Sequence, residues 1–295
     1  MESVFLLAVE RGATLPGQGQ LPVPPVLDSD HTAALAMVIA LYAGFAAAVV
    51  WAVVKLVRER EVLPAVLVVS GLIACNAEPV GDYVGQIVYA PDIPWFDYEV
   101  LGRQMPSFIL VGLASYVAMG GYYAYRYIAD GRSLRDIAVV CVVWVGVPEI
   151  AMEMLWHHWS VIAYYGDNPT RILGVPLYTI VQNSTLLPVY GVAVYLGARY
   201  LKGWSVLWMV VVMPTVTIGY IVGVSWPVYQ AIGSSADAWV VWVCAAWVVV
   251  ASVAASYAAL QLPELRELRR RRAEAAEAVP ARGGAAPVAQ PAEAL

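Results

Sequence analysis

The feature that most constrains this chain is the spacing of its apolar blocks. Seven stretches follow one another with short polar breaks: Thr32–Val54, Val62–Tyr83, Pro106–Tyr125, Ile137–Trp156, Ile172–Leu196, Trp204–Ser225 and Ala238–Leu260. Each is close to the roughly 20 residues that an α-helix needs to cross hydrocarbon. Charge is scarce enough to allow this, because only 13% of residues are charged and 61% are hydrophobic, whereas a soluble domain carries about a quarter charged residues. The alternation of an outer-membrane barrel is absent. The expected fold class is therefore all-α: a polytopic membrane protein with seven transmembrane helices across residues 32–262. Residues 1–31 precede it as an extracytoplasmic segment, and residues 263–295 follow as a cytoplasmic tail.

Basic residues set the orientation. With the N-terminus on side one, side two collects Lys55, Arg58, Arg60, Arg126, Arg132, Arg135, Arg199, Lys202, Arg266, Arg269, Arg270, Arg271, Arg272 and Arg282. Side one holds only Arg11, Arg103 and Arg171. The N-terminus is thus expected outside and the C-terminus inside, in a bacterial plasma membrane. The opening "MESVFLLAVERG" has no basic leader and too short an apolar run for a signal peptide. The stretch "PELRELRRRRAEAAEA" reads as a brief extension of the last helix and a stop-transfer anchor against lipid headgroups, not as a nucleic-acid patch. The Ala/Pro/Gly-rich end is expected to be disordered. Cys75, Cys141 and Cys244 all fall in apolar runs, so they predict packing residues and not a disulfide framework.

Within these spans the acids are not scattered. At about 1.5 Å per residue, Glu78 and Glu153 both lie roughly 24 Å above the cytoplasmic ends of their helices, Asp82 and His157 roughly 30 Å, and Glu149 roughly 18 Å. Glu78 and Asp82 are four apart, as are Glu149 and Glu153, and Glu153 and His157. Residues four apart share a helix face, so span two carries an acidic stripe and span four an acid–acid–imidazole stripe. Span five adds Gln182 and Asn183. Ionisable groups inside a bilayer are costly and mark functional sites by default. The expectation is an outward-opening polar cavity between these faces. Pro79 and Pro148 sit beside Glu78 and Glu149, where each removes a helix hydrogen bond and shapes the wall.

Two outer loops are dense in aromatics: "YAPDIPWFDYEVLGRQMP" and "HHWSVIAYYGDNPTR". They read either as an interfacial aromatic belt or as a lid. Arg103 and Arg171 are expected to pair with acids of the cluster or of the loops. Asn76, Tyr89, Trp95, Trp156, Tyr164 and Tyr165, together with Arg103, Gln182 and Asn183, are the candidate substrate-contacting residues.

A carboxylic acid in a water-poor cavity beside a second carboxylate keeps its proton and donates it. Aromatic rings stabilise a developing cation. The chemistry predicted is an acid-catalysed cyclisation, isomerisation or dehydration of a lipophilic terpenoid or polyketide, with no cofactor and no metal. Glu78 or Glu153 is the expected general acid. Asp82 or Glu149 is its charged partner, and His157 tunes Glu153.

The series "EPVGDYVG", "GRQMPSF", "PEIAMEMLW" and "YYGDNP" resembles the AveC-like spirocyclases of actinobacteria, and the size and membrane acids are similar to integral membrane meroterpenoid cyclases. That resemblance spans about Thr32 to Leu260. It implies spiroketal formation or dehydration, or protonation of an epoxide or alkene by membrane acids.

Two rival classes remain open. An ion-coupled transporter also uses intramembrane acids, although it needs a polar path to both sides and the inner halves of these spans are apolar. A metal-dependent membrane hydrolase would draw ligands from Glu153, His157 and Asp82 or Glu78. A retinal protein is excluded by the absence of lysine from the last span. Partners beyond membrane lipids and a lipophilic small molecule are not indicated.

Overall fold

The computed structural model describes residues 22–95 and 97–278. The opening "MESVFLLAVERG", Arg11, Arg282 and the Ala/Pro/Gly-rich end lie outside the described residues. Helix α1 (His31–Val54) starts at Asp30, whose carboxylate accepts from the Ala33 N–H at 3.0 Å, and it ends in a wide π-helical turn, Lys55–Glu59. The second apolar block forms two helices, α2 (Leu63–Cys75) and α3 (Glu78–Gly85). The break falls at Asn76–Ala77, just before Pro79, which has no N–H with which to continue the ladder.

Strand β1 (Ile87–Tyr89) follows, then the hairpin β2 (Asp97–Val100) and β3 (Arg103–Pro106). An unbroken helical rod comes next: α4 (Ile109–Ser115), a π-helical stretch Tyr116–Gly120, and α5 (Gly121–Ala129). A second rod holds α6 (Leu134–Val139), a π-helical stretch Val140–Gly146, and α7 (Val147–His158). Pro148 explains the wide turn, since it lacks the N–H that would bond the Trp144 carbonyl and its ring crowds that carbonyl. Strands β4 (Ile162–Tyr164), β5 (Arg171–Ile172) and β6 (Val175–Pro176) lead into α8 (Leu177–Tyr200), α9 (Met209–Ile232), α10 (Ala238–Leu260) and α11 (Pro263–Ala278).

Among the described residues five helical segments are long and apolar enough to cross a membrane: His31–Glu59, Leu63–Gly85, Leu134–His158, Gly203–Ile232 and Ala238–Leu260. The rod Ile109–Ala129 and helix α8 are also of spanning length but carry more polar sequence. Their positions explain it. Helix α8 lies in the middle of the bundle, against α5, α9, α10 and the Val140–Gly146 turn. Its Tyr190 and Gln182 are buried, so it shows little surface to the surroundings. The outer helices do the reverse: Trp144, Trp239, Trp242, Trp247 and Val250 are exposed. An apolar surface of that extent marks a bilayer contact, not a water-facing one.

Three two-stranded sheets depart from a purely helical chain. In two of them a Leu–Gly pair makes the turn: Leu101 and Gly102 (φ 54 and 69), and Leu173 and Gly174 (φ 50 and 86). Positive φ at both central residues is the type I′ hairpin geometry. The expected start of span five at Ile172 is thereby corrected. Residues 171–176 are a hairpin, with Val175 held extended by the following Pro176, and the helix begins at Leu177. The third sheet pairs β1 with β4, Ile87 opposite Tyr164 and Tyr89 opposite Ile162. The strands pack over a small core of their own, which includes Met37, Tyr89, Met105, Phe108 and Val161.

The basic tail is also different from expectation. It is not a short extension of α10 but a separate helix after a turn at Gln261. Leu265 is buried in a small cluster with Ile128, Ile137 and Leu260, and Arg269 and Arg272 donate to the carbonyls of Leu260 and Asp130 at 2.7 and 2.6 Å. Arg270 and Arg271 pair with Glu267 at 2.8 and 2.7 Å.

Candidate functional site

The β1–β4 ladder is what assembles the site. Helix α3 leads through Gln86 straight into β1, and α7 leads through one tight turn into β4. Pairing those strands clamps the ends of the two acid-bearing helices together. As a result Glu78, Asp82, Glu149 and Glu153 act on one another electrostatically: Asp82 feels Glu78 and Glu153, and Glu149 feels Glu153 and Glu78. The two acidic stripes read from the sequence do converge.

Each acid is held differently. Glu149 Oε1 accepts from Asn183 Nδ2 at 2.5 Å, and the Asn183 carbonyl accepts from the Tyr116 hydroxyl at 2.9 Å. Gly146 makes that reach possible, because a Cβ there would lie 2.9 Å from Ser184 Oγ. Glu153 Oε2 accepts from the Tyr164 hydroxyl at 2.6 Å. Asp82 is 2% exposed, and the Tyr89 hydroxyl acts on it as a hydrogen-bond partner. Its second oxygen, Oδ2, is buried with no partner among the described residues. Burial, reinforced by the adjacent carboxylates, pushes the Tyr89 and Tyr164 phenols well above their usual range, so both stay protonated and donate.

Among the described residues no ion pair joins Arg103 or Arg171 to a carboxylate, and this corrects the expectation. Arg103 donates to the Ile87 carbonyl at 3.1 Å and to the Tyr165 hydroxyl, and its guanidinium lies 4.5 Å from the centre of the Tyr83 ring. It is nonetheless near enough to Asp82 to act on it. Arg171 donates to three carbonyls, of Asn168 at 3.2 Å, of Gly166 at 3.0 Å and of Tyr164. Both cations brace loop backbone, which a planar fork of donors suits well. The described N-terminal segment joins the same cap: Ser29 N donates to Asp92 at 3.1 Å and Asp30 N to the Trp159 carbonyl at 3.0 Å. The aromatic loops therefore form a structured cap over the acids.

Several candidates lie elsewhere. No hydrogen bond or ion pair joins His157 to Glu153 among the described residues. The imidazole instead lies on Gly174, where a Cβ would collide with it, and its buried Nδ1 has no partner among the described residues. Gln182 donates to the Ile221 carbonyl at 2.8 Å and so ties α8 to α9. Asn76 caps its own helix by donating to the Leu72 carbonyl at 3.0 Å. Trp95 is exposed and packs edge-on against Tyr42, with ring centres 4.4 Å apart, and Trp156 packs on Phe108 in the cap core. Among the described residues no group of three or more His, Cys, Asp or Glu is placed to hold a metal ion.

Sequence reasoning missed Tyr98 and Tyr116. The Tyr98 hydroxyl is buried without a partner among the described residues, and it feels Asp82 and Glu78. Burial first, and then Asp82, Cys75 and Glu78, push this phenol up to about 12. The available signal was the alternation in "DYEV", which turns Tyr98 inward while Asp97 and Glu99 face out. No protein family, curated protein or solved structure matches this chain.

Proposed function

We propose that this protein is a membrane-embedded enzyme that cyclises, isomerises or dehydrates a lipophilic terpenoid- or polyketide-like molecule by proton transfer from a carboxylic acid. The observation that carries the reading is the convergence of four carboxylates from two helices under a braced cap, with two buried oxygens, Asp82 Oδ2 and Tyr98 Oη, that have no partner among the described residues. Buried polar atoms are nearly always satisfied, so this pair beside the acid cluster supports a polar partner there in the working protein, a water or a substrate oxygen. Glu153, held by Tyr164, and Glu78, with no such donor, are the candidate proton donors. Glu149 and Asp82 are the neighbouring carboxyls that act on the donors electrostatically. Tyr89, Tyr83, Tyr98 and Tyr165 supply aromatic faces and hydroxyls for a developing cation and for substrate oxygens. An AveC-like spirocyclase relationship is part of the same proposal.

The membrane arrangement belongs with it. We place all seven helical rods across a bacterial plasma membrane, the polar rods Ile109–Ala129 and Leu177–Tyr200 shielded by the others. The cap is then extracytoplasmic, and α11 lies on the basic, cytoplasmic side.

The test replaces the chromosomal gene with Glu78→Gln or Glu153→Gln and compares extracted metabolites by mass spectrometry. Each variant is expected at wild-type abundance in the membrane fraction, with a lipophilic precursor accumulating and its rearranged or dehydrated product gone. Unchanged metabolites in both variants would remove acid catalysis from consideration.

A further inference from the structure

The wide turn at Val140–Gly146 opens the flank of the bundle. Between it and α5 and α8 runs a groove of about 330 Å³, lined by Tyr123, Tyr127, Val140, Cys141, Trp144 and Leu187. Its volume falls at the low end of small-molecule sites, about 300–1,000 Å³. The lining offers carbon almost throughout. The groove opens beside Trp144, which is 73% exposed on a segment apolar enough to cross a membrane. Hydrocarbon chains, not water, surround such a face.

The lining brings the groove close to the acid cluster. Val145 and Leu187 are part of it, and each stands four residues from a polar site residue, Glu149 and Asn183. Four residues along a helix is about one turn on the same face. Leu187, Tyr116 and Gly120 meet there: a Cβ on Gly120 would lie 3.3 Å from Leu187 Cδ1 and 3.5 Å from Tyr116 Cδ2. Tyr116 links this wall to the acid cluster by contact, since its hydroxyl bonds the backbone carbonyl of Asn183, whose amide bonds Glu149. Two π-helical stretches, Tyr116–Gly120 and Val140–Gly146, contribute to this one groove. Such wide turns are rare in helices and concentrate at functional sites.

We propose that this groove holds the apolar chain of a long-chain amphiphile, which enters sideways from the bilayer and presents its polar end to Glu149 and Asn183. The inference rests on the reading of the acid cluster as a reaction site, and it narrows the substrate class to molecules with a flexible hydrocarbon tail. Compact polycyclic substrates would leave the groove unused.

The experiment uses the full-length protein in lipid nanodiscs and a long-chain fatty alcohol with a diazirine near its methyl end. After illumination, crosslinks are mapped by peptide mass spectrometry. They are expected to concentrate on Tyr123, Tyr127 and 140–144, and to be competed by the unlabelled alcohol. Val140→Phe, which fills the groove, should lower them about tenfold, as loss of a few buried methylenes would. Should that variant fold poorly, conversion of Cys141 in the folded protein to a mixed disulfide by a long-chain alkyl methanethiosulfonate, with methanesulfinate leaving, should block the same crosslinks, with no effect in Cys141→Ala. Crosslinks spread over all apolar faces, including Ala238–Leu260, and unaffected by either block would overturn the proposal and leave ordinary bilayer lipid as the occupant. Glu149→Gln separates the two readings. Groove labelling that persists in it stands whether or not turnover survives, and uniform labelling defeats the groove whatever the acids do.

Discussion

Replacing Arg171 with Leu should loosen the cap while leaving the bundle intact. Its guanidinium holds the carbonyls of Tyr164, Gly166 and Asn168, and Tyr164 in turn holds Glu153. A hydrogen bond from a charged donor contributes about 1.5–3 kcal/mol, and three sharing one partly exposed side chain do not add in full. A local loss of about 2–4 kcal/mol follows, most of it from the buried Tyr164 carbonyl, which is left without a partner.

Hydrogen–deuterium exchange in nanodiscs reads this directly. If amides of residues 162–176 exchange by local opening, their rates should rise on the order of 30- to 1,000-fold, at about 1.4 kcal/mol per factor of ten. The Tyr165 N–H, which bonds the Gln86 carbonyl at 2.9 Å, is the most informative amide because it reports the junction of the two acid-bearing arms. Exchange in Ala238–Leu260 should not change. Arg171→Lys supplies the charge without the planar fork, so it should recover only part of the protection. Unchanged exchange in Arg171→Leu would refute the clamp. Full protection in Arg171→Lys would show that charge alone suffices and that the three-carbonyl geometry does not matter.

Other perturbations probe neighbouring parts. Gly174→Ala combines a strained φ of 86° with a collision against His157, and should cost about 1–3 kcal/mol, seen as a lower midpoint of thermal unfolding in detergent. Gly146→Val should wedge α7 off Ser184 and break the Glu149–Asn183 bond, so that turnover falls more than in Gly146→Ala; equal activity in the two would count against that contact. Tyr98 should titrate near 12 in an ultraviolet pH titration, as judged by the change lost in Tyr98→Phe. Its folded value lies above the ordinary 10.0, so the stability it contributes is complete below that pH and is lost as pH rises through about 12.

Much of this architecture was legible because membrane solvation writes itself into long apolar runs. The last span, Ala238–Leu260, has the boundaries read from the sequence, since Asp237 and the turn at Gln261 end the apolar run sharply. The acid stripes were legible too, because helical periodicity is fixed at four residues apart. What periodicity does not encode is which loop strands pair. Nothing local in "IVY" or "IAY" says that Ile87 faces Tyr164, yet that ladder decides whether span two meets span four. The roles of the arginines failed for a related reason. Charge complementarity suggested carboxylate partners, but loop carbonyls turned toward a planar donor fork exist only once the loop has folded. His157 was misread because residues four apart share a face without being in reach: Glu153 is taken by Tyr164, and the imidazole follows Gly174.

The polarity of α8 is better understood as a consequence of position than as a departure from membrane composition. A helix against lipid must be apolar all round its outer face; a helix enclosed by others need only satisfy its own polar groups. Helix α8 does so at every level: Gln182 to the Ile221 carbonyl, Thr185 with the Tyr220 hydroxyl at 2.8 Å, and Tyr190 with Thr217 at 2.6 Å. Asn183 differs in its partner, since its amide is spent on Glu149, a carboxylate of the acid cluster. At the far end of the same helix Arg199 and Tyr200 reach a different carboxylate, Glu264 of α11. The mid-helix polar groups of α8 thus face two ways: Gln182, Thr185 and Tyr190 join it to α9, and Asn183 joins it to the acid-bearing α7.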